Sequence, residues 1–143
     1  MSRTSRSTVR AEKTATAAVA SPVNPLVVGV LAWTVPGAGH LLQGHFRKAV
    51  TFFVVLGAMF AIGLAFGGRL FPFQLGEPLV FLAAVAEWTI AVPRVVAGLA
   101  GLGGGNVVSV TYEYGNTFLI VSGLLNALVL FDALDRATGR KPR

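Results

Sequence analysis

The sequence predicts an all-α integral membrane bundle of four transmembrane helices, the first short and kinked, behind a disordered N-terminal tail. Three observations predict it. Of 143 residues, 54% are hydrophobic and 13% are charged, about half the charged share of roughly 25% found in soluble domains. The 12 Lys and Arg and 6 Asp and Glu are also unevenly placed: five lie in the first 13 positions and six in the last 12, leaving seven for Thr14 to Phe131. A water-soluble core of that length needs a polar outer face, and the charges to make one are missing. Finally, the nearly uncharged middle falls into four apolar stretches separated by Gly- and Pro-containing connections.

The first stretch, about residues 26–42, opens at Asn24-Pro25 and is interrupted by Pro36, Gly37 and Gly39. Seventeen residues just reach across a hydrocarbon core of about 30 Å, and a proline with two glycines bends or unwinds a helix. Full crossing and re-entry both stay open for it. The second, residues 49–67, is uncharged and closes on Gly67-Gly68; it is the strongest span. The third, residues 79–99, begins after Pro78, where a first-turn proline is tolerated, and carries Glu87, Pro93 and Arg94. The fourth, residues 117–134, follows Gly115-Asn116, with Asn116 or Thr117 as the expected N-cap. Residues 25–138 thus form one transmembrane domain, between a flexible basic tail at 1–24 and a basic C-terminal tail at 139–143. Val107 to Tyr114 is β-branched and aromatic, which predicts a short extended segment at the interface with Tyr112 and Tyr114 as anchors.

The formal charge of +6 resides mainly in the tails, which lack the interleaved aromatics of a nucleic-acid surface, so no nucleic-acid partner is expected. Terminal Lys and Arg instead set orientation. With four spans, both tails and the Arg69 loop share one side, giving nine Lys or Arg against three from Arg47, Lys48 and Arg94. Both termini are therefore expected in the cytoplasm. Thr14 to Ala20 is too weakly apolar for the centre of a cleaved signal peptide, whereas a transit peptide shares the basic, acid-poor composition. The chain has no cysteine, which excludes disulfides, thiol catalysis and cysteine metal sites.

Pro36-Gly37-Ala38-Gly39-His40, followed by Gly44 and Arg47-Lys48, is the most distinctive motif. It reads as a kink or re-entrant turn in which small residues let helices approach and His40 bonds freed carbonyls; alternatively the unwound backbone meets a ligand or lipid headgroup. His40 and His45 are five apart, about 140° around a helix, so they do not share a metal. Gly57, Ala61 and Ala65 recur every four residues, and Gly123 with Ala127 repeats the pattern, marking two helix-packing seams. Asn126 lies beside the second seam and requires a hydrogen-bond partner in the bundle. Glu87 is the foremost candidate for function, since an intramembrane carboxylate faces the bundle interior or water. It reads either as a proton or ion carrier or as a carboxyl bonded to Asn126, His40 or a backbone carbonyl. Arg94, two helical turns on, is not expected to pair with it within a straight helix. Asp132 and Asp135 are expected to pair with Arg136 or Arg140, and Glu113 reads as a solvated loop charge. No nucleophile, base and orienting group come together, so no catalytic, cofactor or metal residue is assigned.

Two stretches carry a resemblance. Pro36-Gly37-Ala38-Gly39-His40 with Gly44 and the helix from Ala49 resembles the Pro-Gly-x-Gly-His or Gln signature of small bacterial multi-pass proteins, distantly like two-helix transmembrane hairpin domains. Glu113-Tyr114-Gly115-Asn116-Thr117-Phe118, continuing through Gly123-Leu124-Leu125-Asn126, Asp132-Ala133 and Gly139-Arg140-Lys141, resembles the C-terminal half of one uncharacterised bacterial family. The resemblance implies a membrane class and no mechanism. The expected function is that of a non-enzymatic structural or accessory subunit in a bacterial inner membrane, partnered by lipid and by a membrane protein or a second copy. Two rivals are a small homo-oligomeric transporter or channel using Glu87 and Asn126, and a lipid-modifying enzyme using His40.

Overall fold

The computed structural model describes residues 23–141 and is all-helical among them. The helices are α1 (Pro25–Thr34), α2 (Ala38–Leu42), α3 (Phe46–Ala65), α4 (Pro78–Trp88), α5 (Ala91–Leu99) and α6 (Tyr112–Ala137). The expected tail lies outside the described residues except for Val23 and Asn24. Two helices, α3 and α6, are long and apolar enough to cross a membrane, and α4 with α5 makes a third only if the bent pair is one span. Four spans were expected. The difference lies in the two proline-bearing stretches, residues 26–42 and 79–99, each of which is two short helices rather than one rod.

The long helices run antiparallel. Phe52 and Leu56 of α3 share a groove with Leu125, Val129 and Asp132 of α6, while Gly63 abuts Leu119 and Gly115 nearer the start of α6. A Cβ on Gly63 would stand 2.8 Å from the Leu119 side chain and 2.9 Å from the Gly115 carbonyl, so this crossing needs its glycines. Leu56, Phe60, Ile90, Leu119 and Val129 form the main buried core. A second cluster, Val28, Ala32 and Ala133, seats α1 on the C-terminal half of α6.

Asn24, where the first stretch was expected to open, caps α1, its side-chain oxygen accepting from the Leu26 N–H at 2.9 Å, with Pro25 in the first turn. The N-cap expected at Asn116 or Thr117 is displaced: α6 starts at Tyr112, and Asn116 lies buried within it. Its carboxamide oxygen instead accepts from the Arg69 N–H at 2.8 Å. Residues 107–111 form turns rather than the expected extended segment, and Glu113 sits in the first turn of α6, where a negative charge favours the helix dipole. An isolated antiparallel bridge, Arg69 with Gly104, is the only strand-like pairing among the described residues.

Candidate functional site

Proline removes the hydrogen bond that its nitrogen would make to the carbonyl four residues earlier. Pro36 therefore releases the carbonyl of Ala32, and Pro93 releases that of Thr89. α1 stops at Thr34 and α4 at Trp88, and the α4–α5 pair bends by 104° at the intervening break. Pro93 itself falls in the first turn of α5, where amide nitrogens have no intrahelical acceptor. Both released carbonyls are taken by one group. The Asn126 side-chain amide donates to the Ala32 carbonyl at 3.1 Å and to the Thr89 carbonyl, and Asn126 is fully buried. The partner that the sequence demands for Asn126 is thus the backbone of the two broken stretches.

Gly123, one turn before Asn126, makes this approach possible. A Cβ there would collide with the Ala86 carbonyl, so only glycine lets α4 lie against α6, and Thr89 Oγ1 then donates to the carbonyls of Ala86 and Gly123. The seam expected at Gly123 and Ala127 thus lies against α4, with Ala127 lining a groove with Leu79, Leu82 and Ala86. The other seam faces away: Ala61 and Ala65 are exposed and nothing lies within 4 Å of a Cβ on Gly57.

Glu87 and Arg94 do pair, against expectation, because the bend folds residues seven apart toward each other. The Glu87 carboxylate accepts from Arg94 Nη1 and, at 2.9 Å, from the Phe71 N–H. Arg94 Nη2 donates to the Phe71 carbonyl at 2.5 Å, and the guanidinium lies over the Trp88 ring, 5.1 Å from its centroid. The pair thereby holds both polar groups of one residue in the irregular segment after α3. Among the described residues, neither Asn126 nor His40 hydrogen-bonds to Glu87. Arg94 and Trp88 also line an open cleft of about 530 Å³ with Leu102, Gly103 and Gly104.

His40 belongs to a third network. Fully buried in α2, its Nε2 meets Asp132 at 3.0 Å, and its ring packs on Phe52 with centroids 5.2 Å apart. Asp132 also accepts from Arg136 Nε at 2.9 Å and Lys141 Nζ at 2.7 Å. Of the partners expected for Asp132, Arg136 is present, and Lys141 stands where Arg140 was expected. The Gln43 side chain donates to the Ala133 carbonyl at 2.7 Å. Gly37, at φ +80°, lies against the backbone of Ala49, and Gly39 against Ala32, Ala133 and the Val28 carbonyl. Gly44 has positive φ but open space around it, and Pro36 is fully buried.

The three candidate polar residues therefore occupy three separate networks. Thr89, Phe71, the bond of Asn116 to Arg69 and the acceptor role of Asp132 toward His40 were not expected from the sequence. One signal was available for Thr89, its position four before Pro93; a backbone amide such as that of Phe71 leaves none.

Long apolar helices with polar side chains turned inward onto freed backbone are the features of an α-helical protein suited to a lipid bilayer. Within that class, a family profile matches residues 27–142, and the chain belongs to that family, DUF6677, a family of unknown function. No curated protein and no solved structure matches the chain.

Proposed function

We propose that the chain is an integral protein of a bacterial inner membrane, with both termini cytoplasmic, acting as a non-enzymatic structural or accessory subunit of a membrane assembly. The observation that carries this reading is the direction of its polar groups. Asn126 bonds the chain's own backbone beside the two helix breaks, and Glu87 and Arg94, which flank one of them, bond that of Phe71, which is what a scaffold requires, while Gly57, Ala61 and Ala65 lie on the outer side of α3 beside exposed Phe53 and Val54. Close approach along small residues is how helices associate where lipid removes the hydrophobic drive. Gly57→Leu with Ala61→Leu tests it: partners or second copies that copurify in mild detergent are lost while the folded chain persists. Unchanged association would refute the reading.

A second reading, a homo-oligomeric transporter or channel, is favoured by one observation: Glu87 Oε1 and Asn126 Oδ1 are both buried without a hydrogen-bond partner among the described residues. It predicts proton or ion flux into liposomes that Glu87→Gln abolishes; the scaffold reading predicts none.

A further inference from the structure

We infer that the chain crosses the bilayer only twice, through α3 and α6, that residues 25–42 and 78–99 are re-entrant hairpins entering from opposite faces to meet at Asn126, and that the end bearing Arg47, Lys48, Arg136, Arg140 and Lys141 rests on an anionic lipid leaflet. This rests on the membrane reading above and replaces the four spans expected from the sequence.

Contacts along α6 carry the argument. Gly29 of α1 lies against Leu134, whereas Ala32 reaches Asn126, so α1 enters from the C-terminal end of α6. After Pro36 the chain turns back: Gly39 returns to Val28 and Ala133, His40 to Asp132 and Gln43 to Ala133. α3 then starts at the end from which α1 came. The second hairpin mirrors this from the other end. Leu79 and Leu82 share a groove with Ile120 and Leu124, and Thr89 meets Asn126. By Gly103 the chain is again beside Leu70, whose N–H donates to the Gly103 carbonyl at 2.9 Å, and the Asn106 N–H donates to the Gly67 carbonyl at 2.8 Å. α1 has 10 residues and α4 has 11, about 15 and 16 Å at 1.5 Å per residue. Stacked on the two halves of α6, they match a hydrocarbon core of about 30 Å. Irregular backbone at that depth is tolerated only when buried in protein, and Asn126 provides that partner at both tips.

Charge supplies an independent observation. At the end where α3 starts and α6 finishes, Arg47, Lys48, Arg140 and Lys141 are exposed and Arg136 is half-buried, against Asp132 and Asp135. The opposite end carries Arg69 with Glu77 and Glu113, all exposed. Basic residues flanking spans favour the cytoplasmic side and attract anionic headgroups. A four-span path instead separates Arg47 and Lys48 from the C-terminal cations. The two-crossing path gathers them.

A chain without cysteine makes the test direct. Arg47→Cys, Arg140→Cys and Glu77→Cys, made singly at exposed positions, are probed in sealed vesicles with a membrane-impermeant maleimide. We expect Arg47→Cys and Arg140→Cys to react from one side and Glu77→Cys from the other. Reaction of Glu77→Cys from the same side as Arg140→Cys, with Arg47→Cys opposite, would overturn the proposal in favour of four spans. Release of the chain from membranes by alkaline carbonate would instead refute the membrane reading itself. For the leaflet, the purified chain is placed in vesicles of phosphatidylcholine and phosphatidylglycerol with trace spin-labelled lipid. Preferential contact with the phosphatidylglycerol label, weakened in Arg47→Gln with Lys48→Gln, is expected; equal contact with both labels would overturn that part.

Discussion

The two broken stretches solve the same problem with different materials. Residues 25–42 are reversed by packing: Gly37 sits on the Ala49 backbone, Gly39 between Ala32 and Ala133, and the buried His40 ties the returning limb to Asp132. Residues 78–99 are reversed by charge: Glu87 and Arg94 close across the bend and clamp Phe71 between them. Each break follows from a proline, and each releases a carbonyl to Asn126. The comparison teaches that a proline decides where a helix ends, whereas the residues around it decide how the chain is held afterwards. Glycine permits close approach at no electrostatic cost but tolerates no added atom. An ion pair reaches across open geometry, yet leaves a buried charge when one member is lost.

Breaking the charged reversal should destabilise the chain most. Arg94→Ala strands Glu87, fully buried, and is expected to cost about 3–5 kcal/mol, the range for removing one partner of a buried pair. Thermal unfolding in detergent measures it, and Glu87→Gln with Arg94→Gln should recover much of the loss. The packed reversal should yield less on a comparable challenge. Gly37→Ala adds a methyl where φ is +80° and the Ala49 backbone is in the way, with an expected loss of about 1–3 kcal/mol, as for overpacking. Asn126→Leu removes the donor common to both reversals and is expected to cost about 1 kcal/mol, the scale of a hydrogen bond between helices in a membrane. It should loosen both tips together, seen as faster amide exchange near Val35 and Ile90. Gly57→Leu should be smallest, within about 0.5 kcal/mol as for surface changes, because nothing lies near its Cβ; its effect belongs to association instead.

How much of this was legible follows the same division. The apolar length of α3 and α6 was readable because hydrophobicity is a property of each residue. The opening of the first stretch at Asn24-Pro25 was readable because its geometry is local. The breaks were only half legible: Pro36 and Pro93 mark them, but whether a bend stays within one span or turns the chain back depends on what receives it. That is decided by Gly123 and Asn126, thirty or more positions away from either proline. Pairing of Glu87 with Arg94 was hidden for the same reason, since a straight helix keeps residues seven apart from touching. Asn116 misled because the same side chain that caps a helix can cap a loop, here at Arg69. Gly63 and Gly115 carry no periodic signal and emerge only when α3 and α6 cross.

The Asn126 amide also imposes an order on biogenesis. Domains are built N-terminal first as the chain is synthesised, yet the donor for Ala32 and Thr89, the cap for Arg69 and the acceptor for His40 all reside on α6, the last of the described helices to emerge. Until that helix arrives, the Ala32 and Thr89 carbonyls, the Arg69 N–H and His40 lack these partners, whereas Glu87, Arg94 and Phe71 can already close on one another. A ribosome stalled before residue 126 would hold a chain already in the membrane but unable to close.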